Sequence, residues 1–261
     1  MAAPLTMAEL PPELRAWLGP VRALTGPAQG ATSDVAFAEG ERGAFVVKRS
    51  ARQPYRDWLR REYAVLRALE GSGLPVPQAY LHIEAGGAGW LLMERLPGRP
   101  LSEALGECRD DAERAPLLTA FGACLARLHR CPPPAALVGD RPWLDAMLAT
   151  AASYLARYPV DGTPELLERL RCERPAPVAL RLIHGDCTTE NVLVADGAIS
   201  GMIDWGLGAI GDPRYDLALA TQPQAGAFES PADVVAFYAG YGGEPLSGAE
   251  RAYFDGLYEF F

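Results

Sequence analysis

Histidine is scarce in this chain, with three among 261 residues. With so few, and with no second His-rich motif, a metal hydrolase is not expected. The five cysteines, at 108, 124, 131, 172 and 187, are odd in number, irregularly spaced and never C-x-x-C. That spacing suggests neither zinc nor a disulfide framework, and a reducing, cytoplasmic setting is the simplest expectation. Lys and Arg total 24 against 33 Asp and Glu, a formal net charge of −9. Without clustered basic residues nucleic acid is not an expected partner, whereas a cationic ligand is compatible. No apolar run approaches the roughly 20 residues of a membrane-spanning helix, so no membrane partner is expected. The first seventeen or so residues lack the basic start and apolar core of a secretion signal. The Gly26–Asp34 loop is not G-x-G-x-x-G, and the chain has no internal repeat and no low-complexity segment.

What is present is concentrated in Leu182–Gly206, LIHGDCTTENVLVADGAISGMIDWG. Leu180–Ile183 reads as a short buried strand entering a polar loop. Val192–Val194 and Ile199–Ile203 read as a hairpin across Ala195–Ala198, whose Asp-Gly is a turn signal. Such a hairpin puts Asn191 at the start of one strand and Asp204 at the end of its partner, with Asp186 on the loop before. A carboxamide and a carboxylate suit Mg2+, which takes oxygen ligands and usually only one or two from protein carboxylates. A further carboxylate can accept a proton from a substrate hydroxyl. The order His184-Gly185-Asp186, Asn191, Asp204-Trp205-Gly206 matches the form H-x-D, then Asn five residues later, then D-F-G, a set used for phosphoryl transfer. The plainer alternative is two turn aspartates and a strand-capping asparagine.

The N-terminal third reads as a small sheet of about five strands with one helix. Met7–Leu18 reads as a short helix, with strands over Val21–Leu24, Val35–Ala38 and Ala44–Lys48. Pro54–Leu69 reads as a helix in which Tyr55, Leu59, Glu62, Leu66 and Leu69 share one face. Glu62 therefore lies in an apolar stripe, where a carboxylate needs a partner. Lys48, ending Phe45-Val46-Val47-Lys48, is the natural one; the alternative is that Glu62 reaches water at the edge of the stripe. Gln78–Glu84 and Trp90–Glu94 read as a hairpin. Met93–Gly98 then reads either as an inter-lobe hinge, whose backbone at Glu94 and Leu96 meets an adenine edge, or as an ordinary Pro-Gly turn.

From Leu101 the pattern turns helical. Leu117, Leu118, Phe121, Cys124, Leu125 and Leu128 share one helical face, and His129 reads as structural. Trp143–Tyr158, Pro164–Arg171, a helix opening at Asp212, Val234–Tyr241 and Ala249–Phe261 complete the set. The boundary expected from this change is 1–95 and 96–261.

HGD, the following Asn, IDWG and Gly211-Asp212-Pro213-Arg214-Tyr215-Asp216-Leu217-Ala218 resemble the aminoglycoside phosphotransferase family. Tyr258-Glu259-Phe260-Phe261 is similar to the C-terminus of its aminoglycoside 3'-phosphotransferases. The resemblance covers nearly the whole chain. It implies an α+β, two-lobed, protein-kinase-like fold with a small antiparallel β-sheet lobe, one main helix there, and a larger, mostly helical C-terminal lobe. It implies a nucleotide loop at Gly30–Ser33, with Gly30 and Ser33 near the phosphates. It further implies that Lys48, braced by Glu62, clamps them, that Asp186 is the base, and that Asn191 and Asp204 hold Mg2+. Asp216 and His184 would order the loop.

The implied activity is transfer of the γ-phosphoryl group of ATP or GTP to a hydroxyl of a small, cationic molecule. An aminoglycoside antibiotic comes first, in a resistance role; a macrolide, a choline-like or homoserine-like metabolite, or a non-catalytic nucleotide-binding relative are the alternatives. Asp161, Glu259 and Phe261 are the implied substrate contacts. The chain departs from the family where Gln222-Pro223-Gln224 stands for an Arg-Asp pair and where Tyr258 replaces an acid.

Overall fold

The structure is a computed structural model that describes residues 5–26, 33–224 and 226–261. It divides into two compact units, Met1–Pro97 with Gly201–Leu207, and Gly98–Ser200 with Gly208–Phe261. A single cut at residue 95 therefore does not describe it, because Gly201–Leu207 returns to the first unit. The reason is local: the 3-10 turn Trp205–Leu207 packs against the main helix of that unit, with Gly206 against Trp58.

The first unit is built on a five-stranded antiparallel sheet. Its strands are β1 (Val21–Thr25), β2 (Asp34–Gly40), β3 (Gly43–Ser50), β4 (Ala79–Ala85) and β5 (Ala88–Glu94), in the order β1-β2-β3-β5-β4. α1 (Pro12–Leu18) precedes the sheet. It starts later than the Met7 expected from sequence, because Pro11 and Pro12 suit a first turn and not an interior. Leu10, Leu14 and Leu18 join Phe45, Val47, Trp90 and Leu92 in one apolar core. α2 (Tyr55–Ala68) buries Leu59, Glu62, Val65 and Leu66, so the expected stripe is present with Val65 added.

The second unit begins with β6 (Arg99–Pro100), which pairs with β8 (Val192–Ala195); β9 (Ala198–Met202) completes that sheet. β7 (Arg181–Ile183) pairs antiparallel with β10 (Ala209–Gly211), a strand too short to read from the sequence. The helices are α3 (Leu101–Gly106), α4 (Asp111–Arg130), α5 (Trp143–Arg157), α6 (Pro164–Cys172), α7 (Pro213–Ala220), α8 (Pro231–Tyr241) and α9 (Gly248–Tyr258). α9 opens with a capping box of Ser247 and Glu250 and stops three residues short of the expected end. The core of the second unit gathers Trp143, Leu148, Leu167, Leu170, Tyr215, Phe254, Leu257 and Phe260. α4 turns Leu118, Phe121, Gly122 and Leu125 inward and leaves Leu117 and Cys124 half-buried.

Candidate active site

In the first unit, β3 and α2 bring together the two residues paired by the sequence argument. β3 runs past Lys48 to Ser50, so the ammonium rises from within a strand. It donates to both oxygens of Glu62, at 2.7 and 2.9 Å, and also to Oδ1 of Asp204. The Lys48 and Glu62 side chains are 9% and 4% exposed, and that of Asp204 is 48% exposed. Burial alone would push the ammonium pKa down, but the adjacent charges of Asp204 and Glu62 outweigh it and hold Lys48 charged, above its usual value. Burial pushes the Glu62 carboxyl up, against the pull of Lys48, and the charge of Asp204 adds to the rise. One cation faces two carboxylates, and the buried one bears the cost. Asp204 itself sits at φ +65°, a left-handed conformation that non-glycine residues adopt sparingly.

The hinge candidates also belong to the first unit. Glu94 N–H donates to the Gln78 carbonyl at 2.8 Å and Arg95 N–H to Ala44 at 3.1 Å. The Glu94 side chain accepts from Gln78 N–H at 3.1 Å. Ser33 precedes β2 and is half-buried, while Gly30 lies outside the described residues. A cavity of about 380 Å³ lies beyond the C-terminal end of α2, lined by Leu66, Glu70, Leu74 and Gln78 among others, and none of Lys48, Glu62 and Asp204 borders it.

In the second unit the loop after β7 is held from below by Asp216 on α7, which is fully buried. Its Oδ2 accepts from His184 N–H at 2.7 Å and its Oδ1 from Gly185 N–H at 2.8 Å. His129 contacts the same Oδ2 through Nε2 at 3.1 Å, and its Nδ1 meets the Tyr241 hydroxyl at 2.9 Å. A carboxylate only accepts, so Nε2 carries the proton; in the neutral ring Nδ1 is then the acceptor for the Tyr241 hydroxyl. His184 Nδ1 then accepts from Asp186 N–H at 3.2 Å. Asp216, His129 and His184 thus act on the shape of the loop.

Asp186 is half-buried at the head of that loop. Asn191 Nδ2 donates to its Oδ2 at 2.8 Å and to its carbonyl at 2.9 Å. Both amide hydrogens of Asn191 are thereby directed at Asp186, which leaves Oδ1 as the oxygen it can offer elsewhere. Thr189, fully buried, accepts from the Gln224 amide, so the residue standing where the family has a charged pair is tied to the loop.

Oδ1 of Asp186 accepts a hydrogen bond from the Tyr258 hydroxyl at 2.7 Å. The contact joins residues 72 apart, and only the substitution of an acid by Tyr258 was visible in the sequence. Burial, then the charge of Asp186 and the hydrogen bond to it, push the Tyr258 phenol well above its usual value, so it remains a neutral donor. Nearby, Gly162 N–H donates to the Glu259 carbonyl at 2.8 Å, which brings the Asp161 loop to the C-terminal segment. Asp161 and Glu259 are exposed, and the half-buried Phe261 ring lies 5.7 Å from Tyr154.

Among the described residues no three His, Cys, Asp or Glu side chains form a metal cluster. The donor set fits a different kind of ion. Each in its own unit, Asn191 offers an amide oxygen and Asp204 a part-exposed carboxylate, both of the hard oxygen type that Mg2+ accepts.

The profile of the phosphotransferase enzyme family (APH) matches residues 23–255. A homoserine kinase of Methylocella silvestris is 29% identical over 249 residues, covering 89% of this chain and 75% of that protein. An aminoglycoside 3'-phosphotransferase of Streptomyces fradiae is 29% identical over 215 residues, covering 75% and 77%. The crystal structure of an aminoglycoside-3'-phosphotransferase of type VIII superposes with a TM-score of 0.73 at 27% identity, covering 95% of this chain and 97% of the other.

Proposed function

Because this chain belongs to the phosphotransferase enzyme family and is thus a phosphotransferase with an alcohol group as acceptor, we propose that it carries the γ-phosphoryl group of ATP or GTP to a hydroxyl of a small molecule, an aminoglycoside first among them. The observation that carries this reading is the buried Lys48 ammonium, held charged between Glu62 and Asp204. A structural ion pair needs one carboxylate; a second, part-exposed one beside the same ammonium suits a site that receives polyphosphate and metal.

Lys48 pairs with the nucleotide phosphates and Glu62 keeps it in place. Ser33, just before β2, is assigned to the nucleotide phosphates. With the N–H groups of Glu94 and Arg95 already bonded, the Glu94 carbonyl and Leu96 N–H are the groups assigned to the adenine edge. Asn191 and Asp204 are the residues that would hold Mg2+, which supplies charge neutralisation for the phosphates. Asp186 orients the acceptor hydroxyl and takes its proton as the new O–P bond forms and the bond to the nucleoside diphosphate breaks. Asp216, through two backbone N–H groups, fixes the loop that carries Asp186. Asp161, Glu259 and Phe261 line the acceptor side, where the carboxylates suit a cationic substrate.

A homoserine-like amino alcohol is the second reading, favoured by the relative that matches 89% of this chain. A nucleotide-consumption screen decides between them, using kanamycin-type aminoglycosides, macrolides and homoserine as acceptors. Steady release of nucleoside diphosphate with the aminoglycosides is the expected result. Turnover with homoserine alone would move the assignment to the second reading, and none with any alcohol would overturn the proposal.

A further inference from the structure

We propose that Tyr258 is an acceptor-side contact that selects alcohols with a second hydrogen-bond donor on the neighbouring carbon, a vicinal diol or a 1,2-amino alcohol. The inference rests on the kinase reading above, with Asp186 as the group that receives the reacting hydroxyl.

The argument is geometric. The Tyr258 hydroxyl has one proton, and it is committed to Oδ1 of Asp186 at 2.7 Å. A phenol oxygen that donates can still accept. Oδ1 and the phenol oxygen therefore form a pair of acceptors one hydrogen-bond length apart. The two oxygens of a gauche vicinal diol, or the nitrogen and oxygen of a 1,2-amino alcohol, are separated by a similar span. Such a molecule can donate its reacting hydroxyl to Asp186 and its neighbour to Tyr258 at once. An alcohol without the neighbour leaves the phenol oxygen without that partner. Neither residue is fully buried.

The phenol is also held in place. Tyr258 is the last residue of α9, and its carbonyl accepts from Phe261 N–H at 3.0 Å. The next residue is tied to Gly162. The Tyr215 ring stands behind Tyr258, centroid to centroid 6.4 Å. A hydroxyl fixed in this way loses little freedom when it accepts the substrate, which is what a specificity contact requires. A carboxylate at this position would attract any cation. A neutral phenol bonded to the base responds instead to where the donor sits.

The test compares paired acceptors in the wild type and in Tyr258→Phe. Each pair is an alcohol with a vicinal hydroxyl or amine and its analogue lacking only that group, drawn from aminoglycosides and small diols; product NMR identifies the phosphorylated carbon. The expected wild-type preference for the vicinal member is about tenfold in kcat/KM, the size of one hydrogen bond. In Tyr258→Phe the ratio should fall toward unity, whereas a merely structural role would lower both members equally. Turnover that ignores the neighbouring group, a ratio retained in Tyr258→Phe, or turnover confined to homoserine would overturn this inference and leave the kinase reading intact. No turnover with any acceptor would overturn both. Unchanged melting temperature and circular dichroism, compared with the wild type, identify a folded variant; should Tyr258→Phe not fold, Tyr258→Trp carries the same comparison.

Discussion

Lys48 sets one cation among two carboxylates. Its ammonium balances one buried and one part-exposed carboxylate, so its removal leaves Glu62 buried without a cation. Lys48→Met should therefore cost about 3–5 kcal/mol in urea unfolding, the usual loss when one partner of a buried pair is deleted. The double variant Lys48→Met/Glu62→Gln should recover much of that loss, because it removes the orphaned charge. A single-variant loss below about 0.5 kcal/mol, within the range of a plain surface substitution, would show that Glu62 finds another partner. At this scale the sequence was informative. A carboxylate in an apolar stripe, three residues after one leucine and four before another, has few physical solutions, and one lysine stood at the right strand. Tyr258 was the opposite case. Its partner lies 72 residues away, and no periodicity links a helix end to a loop that far off.

At the level of elements, α4 and α8 meet through glycine. A Cβ on Gly122 would overlap the Phe237 carbonyl, and one on Gly240 would overlap that of Thr119. The Thr119 hydroxyl donates to the Ala236 carbonyl at 3.0 Å, and Arg114 meets both oxygens of Asp233 at 3.1 and 2.7 Å across the same pair of helices. Because the atoms in the way are backbone, no side chain can rotate to make room. Gly240→Ala should thus lower stability by about 1–3 kcal/mol through overpacking, despite the gain in helix propensity. Thermal melting checks this, and a raised Tm would contradict the close approach. The helices themselves were legible from apolar spacing. The inward face of α4 was not fully so, because glycine carries no hydrophobic signal: the spacing pointed to Leu117 and Cys124, whereas Gly122 faces the neighbour. β10 was hidden for another reason, three residues being too few to show a period.

For the molecule as a whole, a sheet-rich start followed by a helical remainder was legible in the change in pattern near residue 95, and the family resemblance supplied the two-lobed α+β class. The return of Gly201–Leu207 to the first unit was not legible, because the packing of Trp205–Leu207 on α2 is a tertiary effect. Among the described residues no helix is long and apolar enough to cross a membrane. Buried phenols give the second unit an alkaline limit. Burial raises Tyr241 and Tyr253 to about 12, and pushes Tyr215 and Tyr258 further, from an ordinary value of 10. Each holds its proton more tightly folded than unfolded. Their contribution is fully present below pH 10 and is lost as the pH climbs from 10 through 12, where the unfolded chain has released protons that the fold retains. Melting temperature followed from pH 8 to 12 should fall above 10, and the 295 nm absorbance of these phenols should rise with unfolding. Ionisation of all tyrosines near pH 10 in a protein that stays folded would contradict their burial.

The central claim is that Asp186 receives the proton in a phosphoryl transfer. Its most direct test is the turnover of Asp186→Asn with the best acceptor, measured beside its nucleotide affinity. The account predicts a loss of about 10²–10⁴-fold in kcat with nucleotide binding retained. Full turnover in Asp186→Asn would contradict it.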